Sequence, residues 1–157
     1  MQIEGEGIEA QPGIVAVVGL GKIGLPLAVR YASRRWRVLG CDANPEVVET
    51  INSGRTHISE EPGLASEVPR LVRQGLLSAT CNTTAAVEQA NVVVVIVSVQ
   101  IDARHQVRFE DLDAATLAIG RGLRPGTLVI YETTLPIGTT EGRVRTMLEA
   151  TSQLKAG

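Results

Sequence analysis

The stretch Val15-Ala16-Val17-Val18-Gly19-Leu20-Gly21-Lys22-Ile23-Gly24 constrains this chain more than any other. Its opening apolar residues read as a strand buried on both faces, as strands of parallel sheets usually are. Gly19, Gly21 and Gly24 then fall at the spacing G-x-G-x-x-G. In that pattern the first glycine permits the tight turn out of the strand, and the second lets the backbone approach a pyrophosphate. The third lets the following helix pack close to the strand, and the helix N-terminus offers unpaired N–H groups to the phosphates. Glycine clusters also occur by chance, and such a turn can simply pack a helix on a sheet. The surroundings favour the dinucleotide site: a strand before, a helix after, a second apolar strand Val38-Leu39-Gly40-Cys41, and then an acid, Asp42, about twenty residues on.

Asp42 refines that expectation. A carboxylate at the tip of the second strand can accept hydrogen bonds from both hydroxyls of an adenosine ribose. It would repel a 2′-phosphate, which favours NAD over NADP. Its other reading is a helix N-cap, because Asn44-Pro45-Glu46 looks like a helix start. Asn44 could equally be that cap, leaving Asp42 for the ribose.

Composition narrows the class. A chain of 157 residues is one domain's worth, and 44% hydrophobic with 20% charged residues is ordinary for a globular fold. Aromatics make up 3%, so the core must be built from Val, Leu, Ile and Ala. A net charge of −2 gives no electrostatic case for nucleic acid or an anionic membrane. The longest apolar run, Val92 to Val97, is too short to span a bilayer, and the start lacks the pattern of a secretory signal. A cytoplasmic protein is expected. Cys41 and Cys81 fall at strand ends and form no metal-ligand spacing with His57 or His105, so both read as small buried hydrophobes and no metal is expected.

Along the chain, residues 1–12 read as a mobile leader and 13–157 as the folded domain. Helices are predicted over about 22–34, 45–52, 64–74, 83–89, 112–122 and 140–150. Strands are predicted over 76–81, 91–99 and 127–131 in addition to the first two. Residues 91–99, the most hydrophobic stretch, should be a central strand opening onto the cofactor cleft, and 102–109 a polar loop. The segment 55–63 is a longer excursion than a crossover needs. His57, Glu60 and Glu61 could form a general acid/base pair there, although a solvated loop with a helix-capping acid is the plainer reading. Five β/α units in sequence predict an α/β, Rossmann-type doubly wound parallel sheet of three layers (α/β/α), with strand order 3-2-1-4-5.

Three motifs in order then resemble the N-terminal domain of the UDP-glucose/GDP-mannose dehydrogenase family. Val18-Gly19-Leu20-Gly21-Lys22-Ile23-Gly24-Leu25-Pro26-Leu27-Ala28 is similar to the family's V-G-L-G-Y-V-G-L-P-L-A. Asn52-Ser53-Gly54 and Glu61-Pro62-Gly63-Leu64 resemble its N-S-G and E-P-G-L segment, and Tyr131 to Glu141 its E-S-T-x-x-P-G-T-T-E signature. The pattern departs at Ser98-Val99-Gln100, where the family usually has a Pro/Asn-Thr-Pro segment, and at Val47, where many relatives carry a basic residue.

The resemblance implies NAD-dependent oxidation of a nucleotide sugar's C6 alcohol to the carboxylate, through two hydride transfers. It implies that Gly19, Leu20, Gly21, Lys22, Ile23 and Gly24 supply the pyrophosphate turn and that Asp42 holds the ribose. Val97 and Ser98 would lie against the adenosine side. Thr133 and Thr134 would lie near the nicotinamide, with Thr134 in a catalytic role, ordering a water or polarising the reacting centre. The family's cysteine nucleophile and lysine lie in later domains, as does most of its dimer interface. A homodimer is therefore expected of the full-length protein, and NAD binding without turnover of this chain alone. Two other readings are a non-catalytic NAD-sensing domain and the N-terminal domain of a hydroxy-acid dehydrogenase.

Overall fold

The computed structural model describes residues 13–156, and the expected leader over 1–12 lies outside them. Among the described residues five parallel strands form one sheet in the order β3-β2-β1-β4-β7. They are β1 (Ile14–Val18), β2 (Arg37–Cys41), β3 (Leu77–Thr80), β4 (Val92–Val95) and β7 (Leu128–Tyr131). A small antiparallel hairpin of β5 (Gln100–Ile101) and β6 (Val107–Arg108) lies between β4 and β7 in the chain. Counting only the strands of the main sheet, the order is the expected 3-2-1-4-5.

Six α-helices accompany the described strands: α1 (Gly24–Ser33), α2 (Pro45–Asn52), α3 (Leu64–Arg73), α4 (Thr83–Val87), α5 (Glu110–Gly122) and α6 (Arg145–Ser152). Alternation along the strands divides the core into two layers, because successive side chains leave a strand on opposite faces. Val15, Val17, Val38 and Val94 pack with Leu25, Ala28, Leu64, Val68 and Leu71 of α1 and α3. Ala16, Val18, Leu39, Val93 and Val95 pack with Ala86, Val87, Leu112 and Ile119 of α4 and α5. Both faces are covered, which is why β1 and β4 read as unbroken apolar runs.

The structure corrects the expectations in four places. The central strand stops at Val95 and does not run to residue 99. Its neighbours stop level with it, since Val95 stands opposite Val18 on one side and Tyr131 on the other. The expected polar loop over 102–109 contains a hairpin. The Asp102 carboxylate accepts hydrogen bonds from the amides of Arg104 at 2.8 Å and Gln106 at 2.9 Å, closing a turn in which His105 takes φ 58°. The last helix opens with a π-turn over Thr140–Val144, where the Val144 amide reaches back to the Thr139 carbonyl at 3.0 Å. Finally, Cys81 is exposed, because β3 ends at Thr80 on the sheet's edge. Cys41 is buried, and burial pushes its thiol up to about 12.

The β3 edge is blocked at one residue by a side chain. The Leu76 and Thr80 carbonyls face β2, accepting from Val38 and Asp42, so Ala79 faces outward. Asn52, the last residue of α2, brackets it: Nδ2 donates to the Ala79 carbonyl and Oδ1 accepts from the Ala79 amide, both at 2.8 Å. The side-chain amide does there what a further strand would do.

Candidate functional site

Parallel strands deliver all their C-terminal ends to one edge of the sheet, and the strand order reverses between β1 and β4. A crevice at such a switch point is where doubly wound folds bind ligands. Gly19 leaves β1 there with φ +95°, and a Cβ on it would stand 2.5 Å from the Ile96 carbonyl oxygen. A Cβ on Gly24 would meet the Gly19 carbonyl oxygen at 1.8 Å, so α1 begins as close to the turn as backbone allows. A Cβ on Gly21 would meet nothing within 4 Å. The three glycines therefore divide their work: two are required by contact within the protein, and the third leaves the approach from outside bare.

The N–H groups of the turn divide in the same way. Gly19 donates to the Cys41 carbonyl at 2.8 Å, and Leu20 donates to Asp42 Oδ2 at 2.9 Å. The next four amides, of Gly21, Lys22, Ile23 and Gly24, have no acceptor among the described residues. Together with the bare approach at Gly21, these donors at the start of α1 form a cradle for an anion. Asp42 Oδ1 accepts from the Asn44 amide at 2.9 Å, while Asn44 Oδ1 accepts from Glu46 at 2.9 Å and caps α2. Asn44 is thus the helix cap, and Asp42 stands at the tip of β2 beside the turn.

The excursion over 55–63 reaches the same place. Lys22 Nζ, on the turn, pairs with Glu60 Oε2 at 2.7 Å, both side chains being largely exposed. Glu60 is engaged with Lys22, and His57 and Glu61 are solvent-exposed. The exposed pair itself adds little stability.

On the other side of the crevice the backbones of β4 and β7 lead into two loops. The Thr133 hydroxyl donates to the Val97 carbonyl at 2.9 Å and ties one loop to the other. Ser98 and Thr134 are exposed beside that tie. Tyr131 hydrogen-bonds Thr116 of α5 at 2.9 Å, and burial pushes its hydroxyl up to about 12.

Beyond them lies a group that the sequence reading missed. Arg143, inside the π-turn, is held by Asp113 of α5, with Nε 2.7 Å from Oδ1, and lies 4.5 Å over the Phe109 ring. An unbroken helix was expected there, and a π-turn carries Arg143 instead. Among the described residues no three His, Cys, Asp or Glu side chains gather as metal ligands, and no helix is long and apolar enough to cross a membrane.

Free amides at a helix start, an uncovered glycine and a carboxylate on the next strand are the donor and acceptor set that a dinucleotide's pyrophosphate and ribose require. Fold and crevice together define a dinucleotide-binding domain of the doubly wound α/β type. Residues 14–157 match the model of the UDP-glucose/GDP-mannose dehydrogenase family, NAD binding domain, and the chain belongs to that family. Its cofactor is NAD.

The chain is similar to UDP-N-acetyl-D-mannosamine dehydrogenase of Campylobacter jejuni, 39% identical over 89% of this chain and 33% of that protein. Among solved structures it resembles NDP-N-acetyl-D-galactosaminuronic acid dehydrogenase of Methanosarcina mazei, with TM-score 0.87 and 29% identity over 94% of this chain and 33% of the other. It also resembles a ternary complex of GDP-mannose dehydrogenase from Pseudomonas aeruginosa, with TM-score 0.85 and 26% identity over 91% of this chain and 33% of the other. The chain thus spans about a third of the length of the curated relatives it matches.

Proposed function

We propose that this chain is the cofactor-binding part of a nucleotide-sugar 6-dehydrogenase, which oxidises the C6 alcohol of a UDP- or GDP-sugar to the uronic acid in two steps. The observation that carries the reading is the cradle of four unpaired amides, Gly21 to Gly24, beside the Asp42 carboxylate. In this reading residues 13–157 are one NAD-binding domain. Gly19, Leu20, Gly21, Lys22, Ile23 and Gly24 form the pyrophosphate turn, with the free N–H groups facing the phosphates. Each Asp42 oxygen accepts one backbone N–H and retains a lone pair for a ribose hydroxyl. Val97 and Ser98 line the adenosine side, and Thr133 and Thr134 the nicotinamide side. NAD held there would supply the hydride acceptor, one molecule for each of the two oxidations, with water providing the second carboxylate oxygen. Thr133, tied to Val97, fixes the spacing of the two loops, and the exposed Thr134 hydroxyl orients a water or polarises the reacting centre. The names of the relatives support a UDP- or NDP-linked sugar. The full-length protein would be a cytoplasmic homodimer.

Calorimetric titration with NAD and NADP tests the cofactor assignment on this chain. NAD should bind at least tenfold more tightly than NADP, because a 2′-phosphate would face the Asp42 carboxylate. Equal affinities, or no binding of either, would overturn the assignment of the turn and Asp42.

A further inference from the structure

Asp42 does more in this chain than face a ribose. Its two carboxylate oxygens are each held by a backbone amide at 2.9 Å, Asn44 on its own strand exit and Leu20 across the crevice. The Leu20 bond joins the middle of the glycine turn to the end of β2, next to the bond from the Gly19 amide to the Cys41 carbonyl. The Leu20 side chain is fully buried, and its methyl groups occupy the space that a Cβ on Gly40 would need, at 2.8 Å. The turn is therefore stitched to β2 through a backbone amide, a carboxylate and a packed side chain. Only the carboxylate is a charged acceptor, and charge-assisted bonds are the stronger kind.

We infer that Asp42 is the positioning residue of the phosphate cradle, independently of any bond it makes to the ribose. By taking up the Leu20 N–H it fixes which peptide planes face β2 and leaves the next four amides aligned toward an incoming anion. The affinity arm of the test below rests on the NAD-binding reading, and the exchange arm does not. A consequence is that exchanging Asp42 for a neutral residue does not simply admit NADP, since the substitution that relieves repulsion at the ribose also releases the turn.

The test is a double-mutant cycle between Asp42→Ala and an NAD analogue lacking both hydroxyls of the adenosine ribose, with amide exchange measured on the unliganded protein. If Asp42 positions the cradle, Asp42→Ala weakens binding of the dideoxy analogue about tenfold, and NAD by more. In the unliganded protein the Leu20 amide should exchange at least tenfold faster in Asp42→Ala, while the Val94 amide in the central sheet, the reference for global opening, is unchanged. Asp42→Asn serves the same measurements if the alanine variant does not fold, because it keeps the side-chain shape and sets an NH2 against one of the two amides. An unchanged affinity for the dideoxy analogue, or an unchanged Leu20 exchange rate, would overturn the inference. Failure of the unsubstituted chain to bind NAD would instead overturn the functional reading, and the Leu20 exchange would still decide the positioning role.

Discussion

The two halves of the sheet hold their crevice loops by different means. On the β3-β2-β1 half two joints are backbone to backbone, Gly19 to Cys41 and Asp42 to Thr80. Two more pair a backbone amide group with a side chain at a strand or helix end, Leu20 with Asp42 and Ala79 with Asn52. On the β4–β7 half backbone bonds hold only the strand exits, Ile96 to Val18 and Glu132 to Val95. The longer loops beyond them are joined by the side chains of Thr133, to Val97, and Arg143, to Asp113. At the tip of the β7 loop Ile137 is fully exposed, at 107%. The first half is a preformed anion cradle, tolerant only of particular backbones. The second is a surface whose side chains are presented outward.

That contrast can be broken most sharply at Gly24. Gly24→Ala forces a methyl group to within 1.8 Å of the Gly19 carbonyl oxygen, and such overpacking costs about 3 kcal/mol. Urea denaturation should show that loss together with the loss of NAD binding. Thr133→Val on the opposite half deletes a single hydrogen bond and should cost about 1 kcal/mol in the same assay. Comparable losses at the two positions would erase the distinction.

A smaller effect is expected at the edge of the first half. Asn52→Ala removes both bonds to Ala79, which should lower stability by about 2 kcal/mol. Faster amide exchange at Ala79, with Gly19 unaffected, would place the damage at the edge. Unchanged exchange at Ala79 would show that the bracket contributes nothing.

The smallest effect is alkaline and separates the halves by pH. Cys41, whose thiol burial lifts from 9 to about 12, stays protonated in the folded chain while the unfolded chain ionises above its ordinary value. Folded protein then binds more protons than unfolded, so stability falls as pH rises from about 9 toward 12. Tyr131, on the other half, is lifted from 10 to about 12 by burial and adds to the loss from about pH 10. Denaturation at pH 8 and pH 10 should differ by about 1 kcal/mol, and Cys41→Ala should remove most of that difference. A profile unchanged by Cys41→Ala would exclude the thiol as its source.

The same contrast explains what could be read from the sequence. The glycine spacing, the alternation that is absent from β1 and β4, and the Asn44-Pro45 helix start are local signals, and each appears in the structure as expected. Strand order followed because short crossovers permit few arrangements. The hairpin at Gln100–Arg108 was less visible: its strands are two residues each, and its turn depends on Asp102 accepting two amides rather than on glycine or proline. Cys81 was misjudged because one residue beyond a strand's end on a sheet edge looks, in sequence, like the strand itself. The Leu20–Asp42 bond, 22 residues apart in sequence, was not read from either residue. A residue expected to contact a ligand also turned out to hold the scaffold, and composition or periodicity cannot separate those two roles.

The Asn52 bracket also sets a limit on growth. In polymer terms a sheet with two open edges is a bifunctional monomer and can add copies without end, whereas one with a single open edge is monofunctional. Here Ala79 is already occupied, so a strand adding to β3 would have to displace Asn52, whereas no such side-chain bracket is seen on β7 among the described residues. Two copies that joined through β7 would leave outward only the bracketed β3 edges, where each further addition must first displace a side chain, so pairing is favoured over a fibre.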